Sequence, residues 1–134
     1  MTKIVVLNTD GGARGNPGPA GTGVVIKDES GAILYAVGEY IGEATNNVAE
    51  YKALIRALEQ AHKLGATEVR VNMDSELIVK QMLGQYKIKE PTLQQLAGEV
   101  IKLRNNFEKV SFTHVRRELN KEADLLVNEA IDVA

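Results

Sequence analysis

Four acidic side chains that lie far apart in the sequence could together bind a divalent cation. They are Asp10, Glu50, Asp74 and Asp124. Asp10 closely follows the apolar run 4–7, and Asp74 directly follows the run 69–73, so each lies at the carboxyl end of a predicted strand. Ligands of open α/β sheets bind at that edge. Carboxylate oxygens suit Mg²⁺ or Mn²⁺, and close carboxylates repel one another until a cation arrives.

Glu50 and Asp124 fall on predicted helices, on the sides that should pack against a sheet. Glu50 shares a helical face with Leu54 and Leu58, and Asp124 borders the apolar stripe that contains Val127. Placing a carboxylate there costs free energy unless a partner neutralises it. A Lys or Arg partner or a helix cap would explain any one of the acids alone. All four together favour a metal site.

The elements that must position these acids can be predicted from apolar periodicity and turn residues. We expect strands at residues 3–9, 21–27, 33–41, 67–73 and 108–114, and helices at 46–64, 75–83, 92–105 and from about 120. The second and third strands are separated by Asp-Glu-Ser-Gly at 28–31, which has hairpin-turn chemistry. The order β-β-β-α-β-α-α-β-α predicts an α/β fold with a mixed sheet and helices on its faces.

Length and composition limit the class of protein. The 134 residues suit a single domain, 1–134, and 44% hydrophobic with 25% charged residues is ordinary for a soluble globular chain. No apolar run approaches a membrane span or a signal-peptide core, so we expect a cytoplasmic protein. The absence of cysteine excludes disulfides, thiolate catalysis and cysteine-based zinc sites. With a net charge of only −2, a nucleic-acid partner would need a local basic patch.

Four sequence motifs resemble those of type 1 ribonuclease H, in that family's order. The first is Asp-Gly-Gly-Ala-Arg-Gly-Asn-Pro-Gly-Pro-Ala-Gly at 10–21, and the second is Thr-Asn-Asn-Val-Ala-Glu-Tyr-Lys-Ala-Leu at 45–54. The third is Asp-Ser at 74–75, and the fourth is His-Val-Arg-Arg-Glu-Leu-Asn-Lys-Glu-Ala-Asp at 114–124. The resemblance spans residues 3 to about 131. It implies the ribonuclease H-like fold, whose five-stranded mixed sheet has three antiparallel strands and then two parallel ones.

The resemblance also implies an activity, which is endonucleolytic hydrolysis of the RNA strand of an RNA/DNA hybrid to 5′-phosphate and 3′-hydroxyl products. In the family four carboxylates hold two divalent ions, and the matching positions here are Asp10, Glu50, Asp74 and Asp124. Mg²⁺ is the expected cofactor, with Mn²⁺ as a substitute. Two ions about 4 Å apart can activate a water and stabilise the departing oxygen in an in-line displacement.

Further residues acquire roles through the same resemblance. His114 matches a mobile histidine that assists the leaving group or product release, and imidazole exchanges protons near neutral pH. The expected substrate contacts are Gly11, Asn16, Thr45, Asn46 and Asn47. Contact with the 2′-hydroxyl would distinguish RNA from DNA. Without the family resemblance, these residues have simpler interpretations. His114 would be a solvent-exposed residue at the end of a strand, the glycines of the first motif would form a turn after a strand, and Asn46 would cap a helix.

The chain also departs from the family pattern. Relatives with a basic protrusion carry an extra lysine-rich helix after the third motif, whereas here residues 86–91 lead directly into the next helix. No hybrid-binding module is expected at the amino terminus either. We therefore predict weak, salt-sensitive hybrid binding. Glu76 stands where some relatives place a substrate-contacting Gln, and Glu76→Gln is expected to bind hybrid equally well or more tightly.

Three alternatives remain open at this point. A catalytically silent nucleic-acid-binding module of the same fold would usually have lost one acidic ligand, and none is missing here. A relaxed enzyme that also cuts double-stranded RNA is the second. An actin-like phosphotransferase would need two such domains.

We expect a monomer, because no exposed heptad or large apolar patch is evident.

Overall fold

The chain has the predicted order of strands and helices. A computed structural model describes residues 2–134. The elements are β1 (Ile4–Ala13), β2 (Gly18–Asp28), β3 (Ile33–Ala44), α1 (Asn46–Lys63), β4 (Glu68–Met73), α2 (Glu76–Met82), α3 (Pro91–Arg104), β5 (Lys109–His114) and α4 (Lys121–Asp132). A 3₁₀ turn, Arg117–Leu119, precedes α4. Within residues 2–134 no helix is long and apolar enough to cross a membrane.

The strands form one mixed sheet in the order β3-β2-β1-β4-β5. The pairs β3–β2 and β2–β1 are antiparallel, whereas β1–β4 and β4–β5 are parallel. This confirms the sheet predicted from the sequence. The β1–β4 ladder ends at the pair Thr9–Met73. Asp10 and Asp74 each follow that last pair, so their backbones are neighbours at the edge where a ligand was expected.

The first strand is longer than predicted. Instead of ending near Asp10, β1 continues through Gly11 and Gly12 to Ala13, paired with β2, which begins at Gly18 rather than at residue 21. The predicted end of this strand at residue 9 is therefore wrong, as is the interpretation of Gly11 and Gly12 as a turn after it. The reason is that β2 extends beyond the end of β4 and supplies backbone hydrogen-bond partners there.

Two adjacent glycines of β1 lie under helices on opposite faces of the sheet. A Cβ atom on Gly11 would overlap the backbone of Ala49 in α1, whereas one on Gly12 would lie 3.6 Å from a methyl group of Val127 in α4. Successive strand residues point to opposite faces. The α1 and α4 helices therefore cover opposite faces of the sheet.

The main core lies between the sheet and the helices α1 to α3. There α1 packs on β1 and β2, α3 packs on α1, and α2 packs on β5. The larger buried side chains of this core are Val5, Leu7, Val24, Ile26, Tyr51, Leu54, Leu58, Val69, Val71, Met73, Ile78 and Phe112. Each such side chain contributes roughly 1.5–3 kcal/mol when fully buried. This layer fixes the ends of β1 and β4 relative to the start of α1.

The connection between α2 and α3, residues 83–90, contains no helix. Pro91 occupies the first turn of α3, where its missing N–H has no helical partner to lose. The lysine-rich helix that some relatives carry after the third motif is thus absent from this part of the chain, as predicted. The predicted turn at 28–31 is also present, with Gly31 at a φ of +92°.

Candidate active site

Three carboxylates from three different elements converge at the carboxyl end of the parallel strands. Asp10 lies on β1, Glu50 on α1, and Asp74 directly after β4. One oxygen atom from each lies within 4.8 Å of an oxygen of the other two. Asp10 is 7% exposed and Glu50 only 5%. Because like charges repel strongly when buried together, this cluster needs a neutralising proton or cation.

The backbone of Gly11 fixes the two buried acids. Its N–H donates to Glu50 Oε1 at 2.6 Å and to Asp10 Oδ1 at 3.0 Å. The second oxygen of Glu50, Oε2, is buried without a hydrogen-bond partner. A buried carboxylate oxygen without a partner costs free energy. A divalent cation would satisfy it, so the donor set of oxygen atoms fits Mg²⁺ or Mn²⁺.

The environment makes both buried acids hard to ionise in the metal-free protein. Burial raises the pKa of Asp10 to about 7, and the charges of Asp74 and Asp124 add to that shift. Burial also raises the pKa of Glu50 well above its usual range, and the neighbouring Asp10 raises it further. The interaction between the two carboxyl groups lowers the pKa of Asp10 and raises that of Glu50, so Glu50 keeps the proton longer. Metal binding near neutral pH should therefore release protons.

Asp124 on α4 lines the same cleft but lies outside the compact group of three. The cleft has a volume of about 440 Å³ and is lined by all four acids. Only Asp10, Glu50 and Asp74 have oxygens that all lie within 4.8 Å of one another. Arg117 Nη2 lies 3.6 Å from Asp124 Oδ1. The structure thus brings the four predicted acids to one cleft, with oxygens of three of them within 4.8 Å of one another.

A buried asparagine just before α4 ties that helix to the central strand. Asn120 is 1% exposed, and its Nδ2 donates to the Thr9 carbonyl oxygen at 2.8 Å. Its Oδ1 accepts a hydrogen bond from Asn8 Nδ2 at 3.0 Å. These bonds join the residue preceding Asp10 to the start of the helix that carries Asp124. They therefore help to set the distance between those two acids.

Asn120→Ala is expected to destabilise the protein by about 2–3 kcal/mol, because it leaves the buried Thr9 carbonyl and the Asn8 amide without partners. Urea unfolding followed by circular dichroism measures this loss. Asn106→Ala, at an exposed position after α3, is the matched control and should change stability by less than about 0.5 kcal/mol. Equal stability of the two variants would contradict an anchoring role for Asn120.

His114 is not brought together with the four acids. It is exposed at the end of β5 and lines a separate cavity with Glu76 and Lys80. Glu76 Oε1 pairs with Lys80 Nζ at 2.7 Å, and this hydrogen bond lowers the pKa of Glu76. The start of α2 separates the two cavities, since Ser75 lines the first and Glu76 the second. His114 would have to move, or the substrate to span both cavities, for it to assist hydrolysis.

The expected substrate contacts form a connected group at the rim of the cleft. Asn46 and Asn47 line the cleft, next to Gly11. Asn46 N donates to Asn16 Oδ1 at 3.0 Å, and Asn46 Oδ1 accepts from Ala13 N at 2.8 Å. These bonds join the β1–β2 hairpin to the start of α1. Asn16 thus supports the rim, although it does not line the cleft.

The structure corrects which residue caps α1. Asn46 is the first residue of α1, and Thr45 is the N-cap, whose Oγ1 accepts a hydrogen bond from Val48 N at 3.2 Å. The interpretation of Asn46 as a helix cap is therefore wrong. Its side-chain Oδ1 instead accepts a hydrogen bond from Ala13 N at the end of β1, and this bond holds the start of α1 beside the cleft.

Sequence reasoning missed two residues of the site. Asn120 directly precedes a helix, and that position predicts a capping side chain, but the structure uses it to bind β1. Arg14 lies within the first motif and lines the cleft, where it contacts α4. The signal for Arg14 was its basic charge beside an acidic site. Its partner on α4 could not be found without the fold.

The chain is similar in sequence and in structure to known proteins. The profile of a family described as "Reverse transcriptase-like" matches residues 8–130. The chain is 47% identical over 131 residues to "Bifunctional protein Rv2228c" of Mycobacterium tuberculosis, which covers 97% of this chain and 36% of that protein. The chain thus spans little more than a third of the length of that curated relative.

Two solved structures share the fold closely. RNase H1 from the halophilic archaeon Halobacterium salinarum superposes with a TM-score of 0.95 at 43% identity, covering 98% of this chain and 99% of that one. LC11-RNase H1, an enzyme isolated from compost by a metagenomic approach, has been solved in complex with an RNA/DNA hybrid. It superposes with a TM-score of 0.92 at 54% identity, covering 96% of this chain and 97% of that one.

Proposed function

This chain belongs to the ribonuclease H family, in its compact form, and we propose that it hydrolyses the RNA strand of RNA/DNA hybrids with the help of divalent cations. The products would carry 5′-phosphate and 3′-hydroxyl ends. The observation that carries this proposal is the cluster of Asp10, Glu50 and Asp74, in which one buried Glu50 oxygen lacks a hydrogen-bond partner. That a similar chain has been solved with an RNA/DNA hybrid supports the choice of substrate.

The four acids would hold two Mg²⁺ ions, or Mn²⁺ in their place. Bound in such a site, divalent ions activate a water and neutralise charge on the scissile phosphate. The Gly11 N–H holds Glu50 through Oε1, which leaves Oε2 available as a ligand. The bonds of Asn120 to β1 hold the start of α4 and thereby Asp124. The protein's own contribution is thus a fixed set of oxygen donors that costs little to organise when the ions bind.

The remaining predicted residues would act on the substrate. Asn46 and Asn47 line the cleft and would donate to the sugar-phosphate edge, with Asn16 bracing Asn46. Thr45 would contribute to holding a DNA-strand phosphate beside them. His114 is exposed, and we propose that it assists the leaving group or product release after turning from its position near Glu76.

The activity is tested with end-labelled RNA/DNA, RNA/RNA and DNA/DNA duplexes incubated with Mg²⁺, Mn²⁺ or EDTA. We expect metal-dependent cutting of the RNA strand of the hybrid and no cutting of DNA. Asp74→Asn should abolish cutting, because it removes a ligand from the cluster. The RNA/RNA lanes measure whether double-stranded RNA is also a substrate.

A folded protein that cuts no duplex with any metal would overturn the proposal. If it still bound the hybrid, the silent binding module would replace the enzyme as the function. The monomeric state and the cytoplasmic location stay predictions from the sequence, and gel filtration tests the first of them.

A further inference from the structure

The cleft contains two cationic side chains beside its four acids. Among the described residues that line it, these are Arg14 and Arg117. Arg117 lies 3.6 Å from the Asp124 carboxylate, so it is already beside one of the four acids. Arg14 lies on the β1–β2 hairpin and reaches toward the opposite end of α4. A polyanion that enters this cleft meets Arg14 at a distance from the metal ligands.

The backbone of Arg14 is fixed, whereas its side chain is held only by exposed contacts. Arg14 N donates to the Pro19 carbonyl oxygen at 2.8 Å across the hairpin. Arg14 Nη1 lies 2.5 Å from Asp132 Oδ1, and Nη2 donates to the Asn128 carbonyl oxygen at 3.4 Å, near the limit of a hydrogen bond. The side chains of Arg14 and Asp132 are 47% and 59% exposed. Such an exposed ion pair is easily exchanged for another anion.

We propose that Arg14 binds a backbone phosphate of the nucleic-acid substrate, and that Asp132 is a competing carboxylate that holds Arg14 when no substrate is bound. This inference rests on the proposed function, whose cleft it shares. A guanidinium has five N–H donors in a planar fork and can bind phosphate through two parallel hydrogen bonds. The contact with Asp132 is made through one nitrogen. A phosphate held through two hydrogen bonds would replace this contact through one nitrogen, and Asp132 lowers the apparent affinity of Arg14 for phosphate.

The test measures equilibrium binding of a fluorescein-labelled RNA/DNA hybrid at salt concentrations between about 50 and 200 mM. Every variant is made in an Asp10→Asn background, which prevents turnover. Arg14→Ala should weaken binding about three- to tenfold and lower the salt slope by about one. Asp132→Asn should tighten binding about two- to fivefold. In the Arg14→Ala background, Asp132→Asn should have no such effect.

The double variant separates competition for Arg14 from a general change of charge. Glu108→Gln is the matched control, because it removes the same charge from an exposed residue beside the amino end of β5, away from the cleft. Thermal melting checks the fold of each variant, and Asp132→Asn tests the proposal even where Arg14→Ala unfolds. The proposal is overturned if Asp132→Asn binds no more tightly than Glu108→Gln, or if it tightens binding equally without Arg14.

These outcomes do not depend on those of the cleavage test. Arg14-dependent binding by a protein that cuts no RNA would support the phosphate contact and refute the enzymatic function. Cleavage by the parent protein, together with unchanged hybrid affinity and salt slope in the Arg14→Ala binding variant, would refute the phosphate contact alone.

Discussion

Asp10→Asn is expected to lower the rate of hybrid hydrolysis by at least about a thousandfold, or ~4 kcal/mol in the activation free energy. Asp10 lies at the centre of the site, because its carboxylate has an oxygen within 4.8 Å of oxygens of Glu50 and Asp74 and it lines the cleft with Asp124. An amide is a weaker ligand than a carboxylate and carries no charge. Initial rates with saturating Mg²⁺ measure this loss.

The same substitution should stabilise the metal-free protein above neutral pH. The pKa of Asp10 rises on folding from 3.8 to about 7, so the folded state binds more protons than the unfolded state between those values. The contribution of Asp10 to stability is therefore fully present below about pH 4 and is lost as the pH rises toward 7. The shift sets an upper limit of about 4 kcal/mol for this loss. Asparagine carries no charge and so avoids this loss of stability, and its Oδ1 can still accept a hydrogen bond from the Gly11 N–H.

Melting of both proteins in EDTA at pH 4 and at pH 8 measures the effect. We expect Asp10→Asn to be more stable than the parent by about 1–3 kcal/mol at pH 8, and by much less at pH 4. At pH 8, excess Mg²⁺ should make the parent more stable than Asp10→Asn, since only the parent binds the ions well. Glu108→Gln controls for the change in net charge. A stability gain that is the same at both pH values would show that repulsion in the cluster is not its cause.

The order of elements could be predicted because each element carries its own local signal. The alternation of β4, the periodicity of α1 and the turn residues at 28–31 all depend on near neighbours in the sequence. The convergence of Asp10 with Asp74 followed from the rule that parallel strands present their carboxyl ends at one edge. Glu50 followed from its position on the buried face of α1. The resemblance in the motifs added the five-stranded mixed sheet, with three antiparallel strands and then two parallel ones.

What could not be predicted depends on partners that are distant in sequence. β1 runs past Asp10 because β2 pairs with it there, and no residue of β1 by itself records the length of β2. Asn120 binds β1, 111 residues away along the chain, rather than capping its own helix. His114 matched its motif position, yet the structure places it in a different cavity from the acids. For β1 and Asn120 a long-range contact overrode the local signal.

The close packing of α4 on the sheet also depends on residues that are distant in sequence. A Cβ atom on Gly23 would overlap the Ala123 carbonyl group, and one on Gly38 would overlap that of Leu126. One on Gly21 would lie 3.1 Å from the Val127 carbonyl oxygen. The α4 backbone therefore rests directly on glycines of β2 and β3. A helix can approach a sheet this closely only where side chains are missing.

Gly23→Ala is expected to destabilise the protein by about 2–4 kcal/mol, because the new methyl group must push α4 away from β2. Gly23 pairs with Asp10 across the sheet, and Ala123 directly precedes Asp124. The shift would thus separate these two acids, and the rate of hybrid hydrolysis should fall with Mg²⁺ affinity. Urea unfolding and Mg²⁺ titration of the rate measure the two effects.

Gly98→Ala is the matched control, since Gly98 lies in the middle of α3 with open space around its missing Cβ. Alanine loses less conformational freedom than glycine when a helix forms, so this variant should gain roughly 0.5–1 kcal/mol. The same chemical change is thus expected to have opposite signs at the two positions. The result would contradict this account if Gly23→Ala stabilised the protein as well, or if it destabilised the protein without changing the Mg²⁺ affinity. The close packing of α4 on β2 would then not be what positions Asp124.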